Sequence, residues 1–166
     1  LVRGVDTATA GSMAAIITVG SFFACFAGPA AVLKLGKNKP FLIVTTVIAA
    51  VVMVANWFLP LGTVMWVALV LNGFMTALSG PIIQAMTPDL PEIGAKYAGS
   101  AGGIIGTVGL LCSYFVPVIV SSISGDNWTL NFTIESILFL ASVLPIAMLP
   151  ETGAAAKAEM PETSEL

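Results

Sequence analysis

The sequence predicts an all-α membrane protein with five transmembrane helices. Hydrophobic residues make up 57% of its 166 residues and charged residues only 9%, against about 25% charged residues in an ordinary soluble domain. The mean hydropathy of +1.00 points the same way. Five apolar stretches approach the roughly 20 residues that a helix needs to cross a hydrocarbon core. The polar/apolar alternation of a membrane β-barrel is absent, so we expect helices.

Helix breakers divide the chain into these five segments. Pro40 opens the second span, Pro60 ends it and Pro88 ends the third, because proline cannot continue a helix. The predicted spans cover about residues 13–33, 41–59, 62–84, 97–120 and 129–149. We expect residues 1–150 to form the membrane domain. Residues 151–166 lack a core-forming pattern and are predicted to be a disordered cytoplasmic tail.

Positively charged residues fall almost entirely on one side of the predicted spans. Five lysines share that side: Lys34, Lys37, Lys39, Lys96 and Lys157. Only Arg3 lies on the other side. Since cytoplasmic loops carry the excess of Lys and Arg, the C-terminus is predicted to be cytoplasmic and Leu1 to be outside. We expect an integral protein of a bacterial or archaeal cell membrane.

The composition excludes several functions. The chain has no histidine, so it offers neither an imidazole zinc site nor a Ser-His or Cys-His nucleophile pair. Cys25 and Cys112 are isolated in apolar stretches, which suggests neither a disulfide framework nor a metal cluster. A net charge of −3 without a basic run argues against a nucleic-acid partner. We therefore expect no enzyme, no cofactor and no metal.

The spans differ in side-chain size, which predicts how closely each helix is packed. The fourth span carries a broad face of small residues, predicted to be a helix-packing face: Gly99, Gly102, Gly103, Gly106 and Gly109. The first span is also rich in small residues, whereas the second and fifth are bulky and can face lipid on much of their circumference. The order small, bulky, mixed, small, bulky indicates three-helix repeats with the first member missing before Leu1, as in the inverted repeats of secondary transporters. An accidental order is the alternative.

Two local motifs resemble parts of the major facilitator superfamily of transporters. The stretch 28–40 resembles the basic, glycine-containing cytoplasmic loop between the second and third helices of each half. Lys34, Gly36 and Lys37 match its basic, glycine and basic positions, while Leu33 replaces the usual acidic residue. The stretch 91–109 is similar to the entry into the eleventh helix. Pro150-Glu151-Thr152 resembles the Pro-Glu-Thr that often follows the twelfth.

The resemblance implies that the chain is the C-terminal half of such a transporter, helices eight to twelve, in an incomplete six-helix half. The implied function is secondary transport of a small molecule or ion, with the bilayer and an N-terminal half as partners. A looser likeness to nitrate, cyanate and monocarboxylate porters suggests a polar or anionic solute. The arginine and asparagine usual in the nitrate branch are absent. The alternative function is a non-transporting five-span scaffold or assembly subunit.

Polar side chains in the spans are the candidates for a substrate pathway. Asn72, Thr76 and Ser79 stand at i, i+4 and i+7, which places them on one helical stripe near mid-membrane. The resemblance makes this helix the tenth, which lines the central cavity. Weaker candidates of the same kind are Thr18, Ser21 and Thr107. The alternative is that these side chains bond neighbouring helices or carbonyls of their own helix.

Glu135 is the one carboxylate predicted to lie inside a span. Charges inside a membrane are costly and often mark ion pathways, so Glu135 is a candidate for ion coupling. The alternative is a carboxylate that reaches the outer interface or pairs with a neighbouring helix. We favour this alternative, because the resemblance makes the fifth span the peripheral twelfth helix.

Overall fold

The computed structural model describes residues 4–90 and 93–153, and this part of the chain is helical without a strand. Its α-helices are α1 Thr7–Leu35, α2 Asn38–Phe58, α3 Thr63–Ala77, α4 Ser79–Met86, α5 Gly94–Ser124, α6 Trp128–Ala141 and α7 Val143–Met148. A short 3₁₀ helix, Thr87–Asp89, follows α4. Five segments are long and apolar enough to span a membrane, with Thr63–Asp89 and Trp128–Met148 each counted as one. The prediction of an all-helical protein with five membrane-length helices is confirmed.

The helix ends follow the capping chemistry of the sequence. The Asp6 carboxylate accepts the Thr9 N–H at 3.2 Å, so α1 begins at Thr7, six residues before the predicted span. Its end is set by Gly36, whose φ of 69° is the left-handed conformation that closes a helix.

Two of the five spans are interrupted by proline. Pro81 has no N–H for the Ala77 carbonyl, and the helix is broken between Ala77 and Ser79. Likewise, Pro145 has no N–H for the Ala141 carbonyl, and it lies next to the break between α6 and α7. The third and fifth spans therefore each consist of two short helices.

The closest packing in the described chain is between α1 and α3. Gly20 lies against the backbone carbonyl of Val70, and Gly73 lies against the backbone of Ile17. Gly28 makes a third close contact. A Cβ added to Gly28 would lie 2.9 Å from the carbonyl oxygen of Leu78. Glycine at these positions lets the two backbones touch.

The structure shows how the second and fourth spans pack within the described chain. Helix α2, predicted to face lipid on much of its circumference, contacts α3, α4, α6 and α7 and buries Leu42, Thr45 and Ala49 on one face. Only its other side, including Val51, is exposed. The five glycines predicted to form the packing face of α5 have nothing within 4 Å of an added Cβ among the described residues. Within the described chain, the small residues of α1 pack closely whereas those of α5 do not, so small side chains alone do not determine helix packing.

Candidate functional site

The predicted pathway residues Ser21 and Thr76 meet at one backbone carbonyl. The Ser21 hydroxyl, on α1, lies 3.1 Å from the carbonyl oxygen of Gly73, on α3. The Thr76 hydroxyl is 3.3 Å from the same oxygen and 2.8 Å from that of Asn72. The glycine packing of α1 against α3 brings these groups together, because it leaves no side chain between the backbones.

Asn72 differs from its neighbours because part of its amide is unpaired. Its Oδ1 is buried and accepts no hydrogen bond within residues 4–90 and 93–153. A buried amide oxygen without a donor is costly in a folded protein. Asn72 is therefore the pathway candidate with the most unused hydrogen-bonding capacity, whereas the Thr76 hydroxyl is already bonded to its own helix.

The structure separates Ser79 from this group. Ser79 follows the break after α3 and lines a different cavity, between α2, α4, α6 and α7. Thr18 and Thr107 are exposed, and their hydroxyls donate to carbonyls of their own helices, those of Ala14 and Gly103. No hydrogen bond within the described chain joins either threonine to Asn72, and Ser79 lies apart, so the six candidates do not form one hydrogen-bonded cluster.

Buried polar residues on α2 and α6 were not predicted from the sequence. Asn56 is 7% exposed, and both polar atoms of its amide lack a partner within the described residues. The Ser136 hydroxyl is likewise buried and unpaired. The signal in the sequence that could have identified Asn56 is an asparagine within a bulky apolar span, which is unusual.

Glu135, on α6, is half-buried. Its carboxylate forms no hydrogen bond or ion pair with another described residue. Nearby, at the same end of the bundle, the Trp57 indole N–H donates to the Thr129 hydroxyl at 2.8 Å and the Trp57 ring stacks on Phe132. This places Trp57 at one end of the spans, where tryptophan is common in membrane proteins.

The opposite end carries the basic loop, and the first residues after α7 are bonded to it. The backbone N–H groups of Asn38 and Lys39 donate to the Glu151 carboxylate at 2.7 and 3.1 Å. The Asn38 amide donates to the Thr152 hydroxyl at 3.0 Å, and Gly153 lies against the Gly36 carbonyl. Helix α2 has no side-chain cap of its own from Lys37. Glu151 therefore caps α2 from 112 residues further along the chain.

These contacts correct the predicted start of the disordered tail. The sequence assigned Glu151, Thr152 and Gly153 to that tail, whereas the structure places them in hydrogen-bonded contact with the α1–α2 loop. Residues 154–166 of the predicted tail lie outside the described residues. In the loop, Lys34 and Lys37 are exposed, so their charges face away from the bundle.

The ionised form of Glu151 is favoured by its surroundings. Burial raises the pKa of its carboxyl, but backbone N–H groups of Asn38, Gly153, Lys39 and Thr152 together outweigh burial and hold the pKa below the ordinary value of 4.5. A depressed carboxyl pKa adds stability above pH 4.5, and that stability is lost as the pH falls through the folded-state pKa.

We expect Glu151→Gln to destabilise the protein at pH 7 by about 0.5–2 kcal/mol, the cost of losing a helix cap. The difference between wild type and variant should vanish as the pH falls below the folded-state pKa, because wild-type Glu151 is then neutral too. Unfolding in detergent micelles from pH 3 to 8 measures this. Thr152→Val is the control: it removes the bond to Asn38 at a cost that should not vary with pH. A constant Glu151→Gln penalty across this range would contradict the charged cap.

The chain matches no protein-family model, no curated protein and no solved structure. No relative therefore supplies a substrate or a functional residue for it. Its described residues form five helices that are long and apolar enough to span a membrane, in keeping with an integral membrane protein.

Proposed function

We propose that the chain forms helices eight to twelve of a major facilitator superfamily secondary transporter. In this proposal it moves a small polar or anionic solute by rocking against an N-terminal half. The lysine-rich loop and Glu151 then face the cytoplasm, in keeping with the excess of lysines at that end.

The contact between the α1–α2 loop and the residues after α7 is the observation that supports this proposal most. Both segments were identified independently by their resemblance to superfamily motifs. Glu151 of the Pro-Glu-Thr segment accepts hydrogen bonds from Asn38 and Lys39, directly after the glycine and lysine of the basic loop. Two motifs 112 residues apart thus form one structural unit.

The uncovered helix faces are consistent with a further half of the transporter. The glycine face of α5 is open, and α1 exposes more than half of Phe22, Phe23 and Phe26. Small residues usually mark places where helices approach closely in membranes. In this proposal, the N-terminal half covers the glycine face of α5.

The polar groups between α1 and α3 suit a small solute. The site contains an amide at Asn72 and hydroxyls at Ser21 and Thr76, with the Asn72 Oδ1 unpaired among the described residues. The Asn72 Oδ1 can accept a hydrogen bond from a polar solute, and the Asn72 amide N–H groups can donate to a polar or anionic one, without a buried charge on the protein.

Counterflow tests the proposal. The gene product that contains this chain is reconstituted in liposomes preloaded with one unlabelled solute from a panel of small anions and neutral polar molecules. A transporter transiently accumulates external labelled solute of the same kind, whereas protein-free liposomes do not. Membrane-inserted, folded protein without counterflow for any solute would instead favour the scaffold.

A further inference from the structure

A cavity of about 290 Å³ lies where the two proline-interrupted spans meet α2. Thr46 of α2 lines it on one side, and Ser79 and Ser142 line it at the two helix breaks. Apolar side chains, among them Ile83 and Phe139, form the rest of the wall. Thr46 is eight residues into α2, about 12 Å from the end capped by Glu151. We call this space the hydroxyl cavity.

Thr46 is the residue that distinguishes the hydroxyl cavity from a packing defect. It is only 3% exposed, yet its hydroxyl has no hydrogen-bond partner in the part of the chain that the structure describes. Its neighbour Thr45 is as well buried, but the Thr45 hydroxyl lies 2.9 and 3.1 Å from the carbonyl oxygens of Phe41 and Leu42. A hydroxyl that lines a cavity and has no partner in the described chain can pair with the hydroxyl group of a ligand.

The other two hydroxyls complete the polar part of the cavity. The Ser79 hydroxyl also lacks a partner among the described residues. The Ser142 hydroxyl donates to the Phe139 carbonyl at 2.6 Å, which leaves its own oxygen free to accept a hydrogen bond. The cavity therefore offers both donors and acceptors to one hydrogen-bonding group.

The chemistry of the lining defines the ligand. None of the lining residues is charged, and most of the wall is apolar, so an ion would find no counter-charge there. The volume equals that of about ten water molecules at roughly 30 Å³ each. A few hydroxyls in an apolar pocket are typical of sites for small, largely apolar molecules.

We propose that the hydroxyl cavity binds an uncharged amphiphile of about ten non-hydrogen atoms, an aliphatic chain with a single hydroxyl group. The hydroxyl of the ligand pairs with Thr46 and Ser79, and its chain lies against Ile83 and Phe139. This site is distinct from Asn72 and Thr76 and does not depend on the proposed transport function.

Photolabelling with a diazirine-bearing octanol tests the proposal. The full chain in phosphatidylcholine vesicles is irradiated with this probe, and adducts are mapped by mass spectrometry. We expect adducts on residues that line the cavity, with labelling that saturates and is displaced by unlabelled octanol. Thr46→Val should weaken labelling affinity about two- to ten-fold, the effect of one lost neutral hydrogen bond.

Thr45→Val is the matched control, because it makes the same change at the adjacent position, where the hydroxyl is already bonded to the helix. It should leave the labelling affinity unchanged. Ser79→Ala provides a second loss variant if Thr46→Val unfolds, which circular dichroism and thermal unfolding would reveal.

Four results would overturn the proposal. The first is adducts that map away from the hydroxyl cavity, and the second is equal affinity in wild type and the folded loss variants. The third is labelling of the cavity by a phosphatidylcholine that carries a diazirine in its acyl chain, if octanol does not displace that labelling. A bilayer lipid would then be the occupant. Displacement by ionised octanoate as effective as by octanol would likewise contradict an uncharged ligand.

Discussion

Gly73→Ala is expected to destabilise the protein by about 1–3 kcal/mol or more, the usual cost of overpacking a close contact. A Cβ at Gly73 would overlap the carbonyl oxygen of Ile17 and crowd its carbonyl carbon and Cα. These are backbone atoms of α1, so no side-chain rotation relieves the overlap, and α1 and α3 must move apart. Thermal unfolding in detergent micelles, followed by circular dichroism, measures the loss.

Gly103→Ala is the control for this prediction. Gly103 is also a helical glycine, but an added Cβ there meets nothing within 4 Å among the described residues. Alanine favours a helix over glycine by about 1 kcal/mol, so this variant should be neutral or slightly more stable. Tolerance of alanine at Gly73 would contradict the close packing of α1 and α3. Damage at Gly103 in the full gene product alone would show that a further part of the protein covers α5.

The five spans could be predicted from the sequence because membrane insertion depends on local properties. Length and hydropathy of each segment determine whether it can cross the bilayer, and both can be read without knowledge of the neighbours. The observed helix ends differ from the predicted ones where a capping residue determines them, as Asp6 does for α1. The breaks at Leu78 and Ser142 depend on single prolines, at Pro81 and Pro145, whose local effect hydropathy does not report.

The packing partner of each helix could not be predicted from the sequence, because it depends on the tertiary arrangement of all the helices. The glycine-rich α5 was the obvious candidate for close packing, yet Gly20 and Gly73 make the closest backbone contacts with other helices. A glycine allows a close approach but does not create one. The same limit applies to Glu151, whose capping role requires the start of α2, 112 residues earlier in the chain, to lie beside it.

The candidate site could be predicted in part. Helical spacing places Asn72 and Thr76 on consecutive turns of α3, where the Thr76 hydroxyl donates a hydrogen bond to the Asn72 backbone carbonyl. The same spacing extends to Ser79, but Ser79 follows the break after α3 and lines the hydroxyl cavity. Thr46 was not predicted, because only tertiary packing shows that the residue is buried and that its hydroxyl has no partner among the described residues.

Asn72→Ala is expected to lower solute affinity in counterflow about two- to a hundred-fold while the protein remains folded. The range follows from losing one hydrogen bond to a neutral or a charged solute. Stability should be unchanged or slightly higher, because the Asn72 Oδ1 is buried without a partner among the described residues and its removal leaves no other group unpaired there.

Thr76→Val separates this role from a general effect of altering α3. Thr76 lies one helical turn from Asn72, and this variant loses a hydroxyl that is bonded to the carbonyls of Asn72 and Gly73. Solute affinity should therefore change much less than in Asn72→Ala. If Asn72 instead joins α3 to a helix outside this chain, Asn72→Ala should cost about 0.6 kcal/mol of stability, the mean for polar contacts between membrane helices. Reduced stability with unchanged affinity would remove Asn72 from the pathway, because a solute contact must alter binding more than folding.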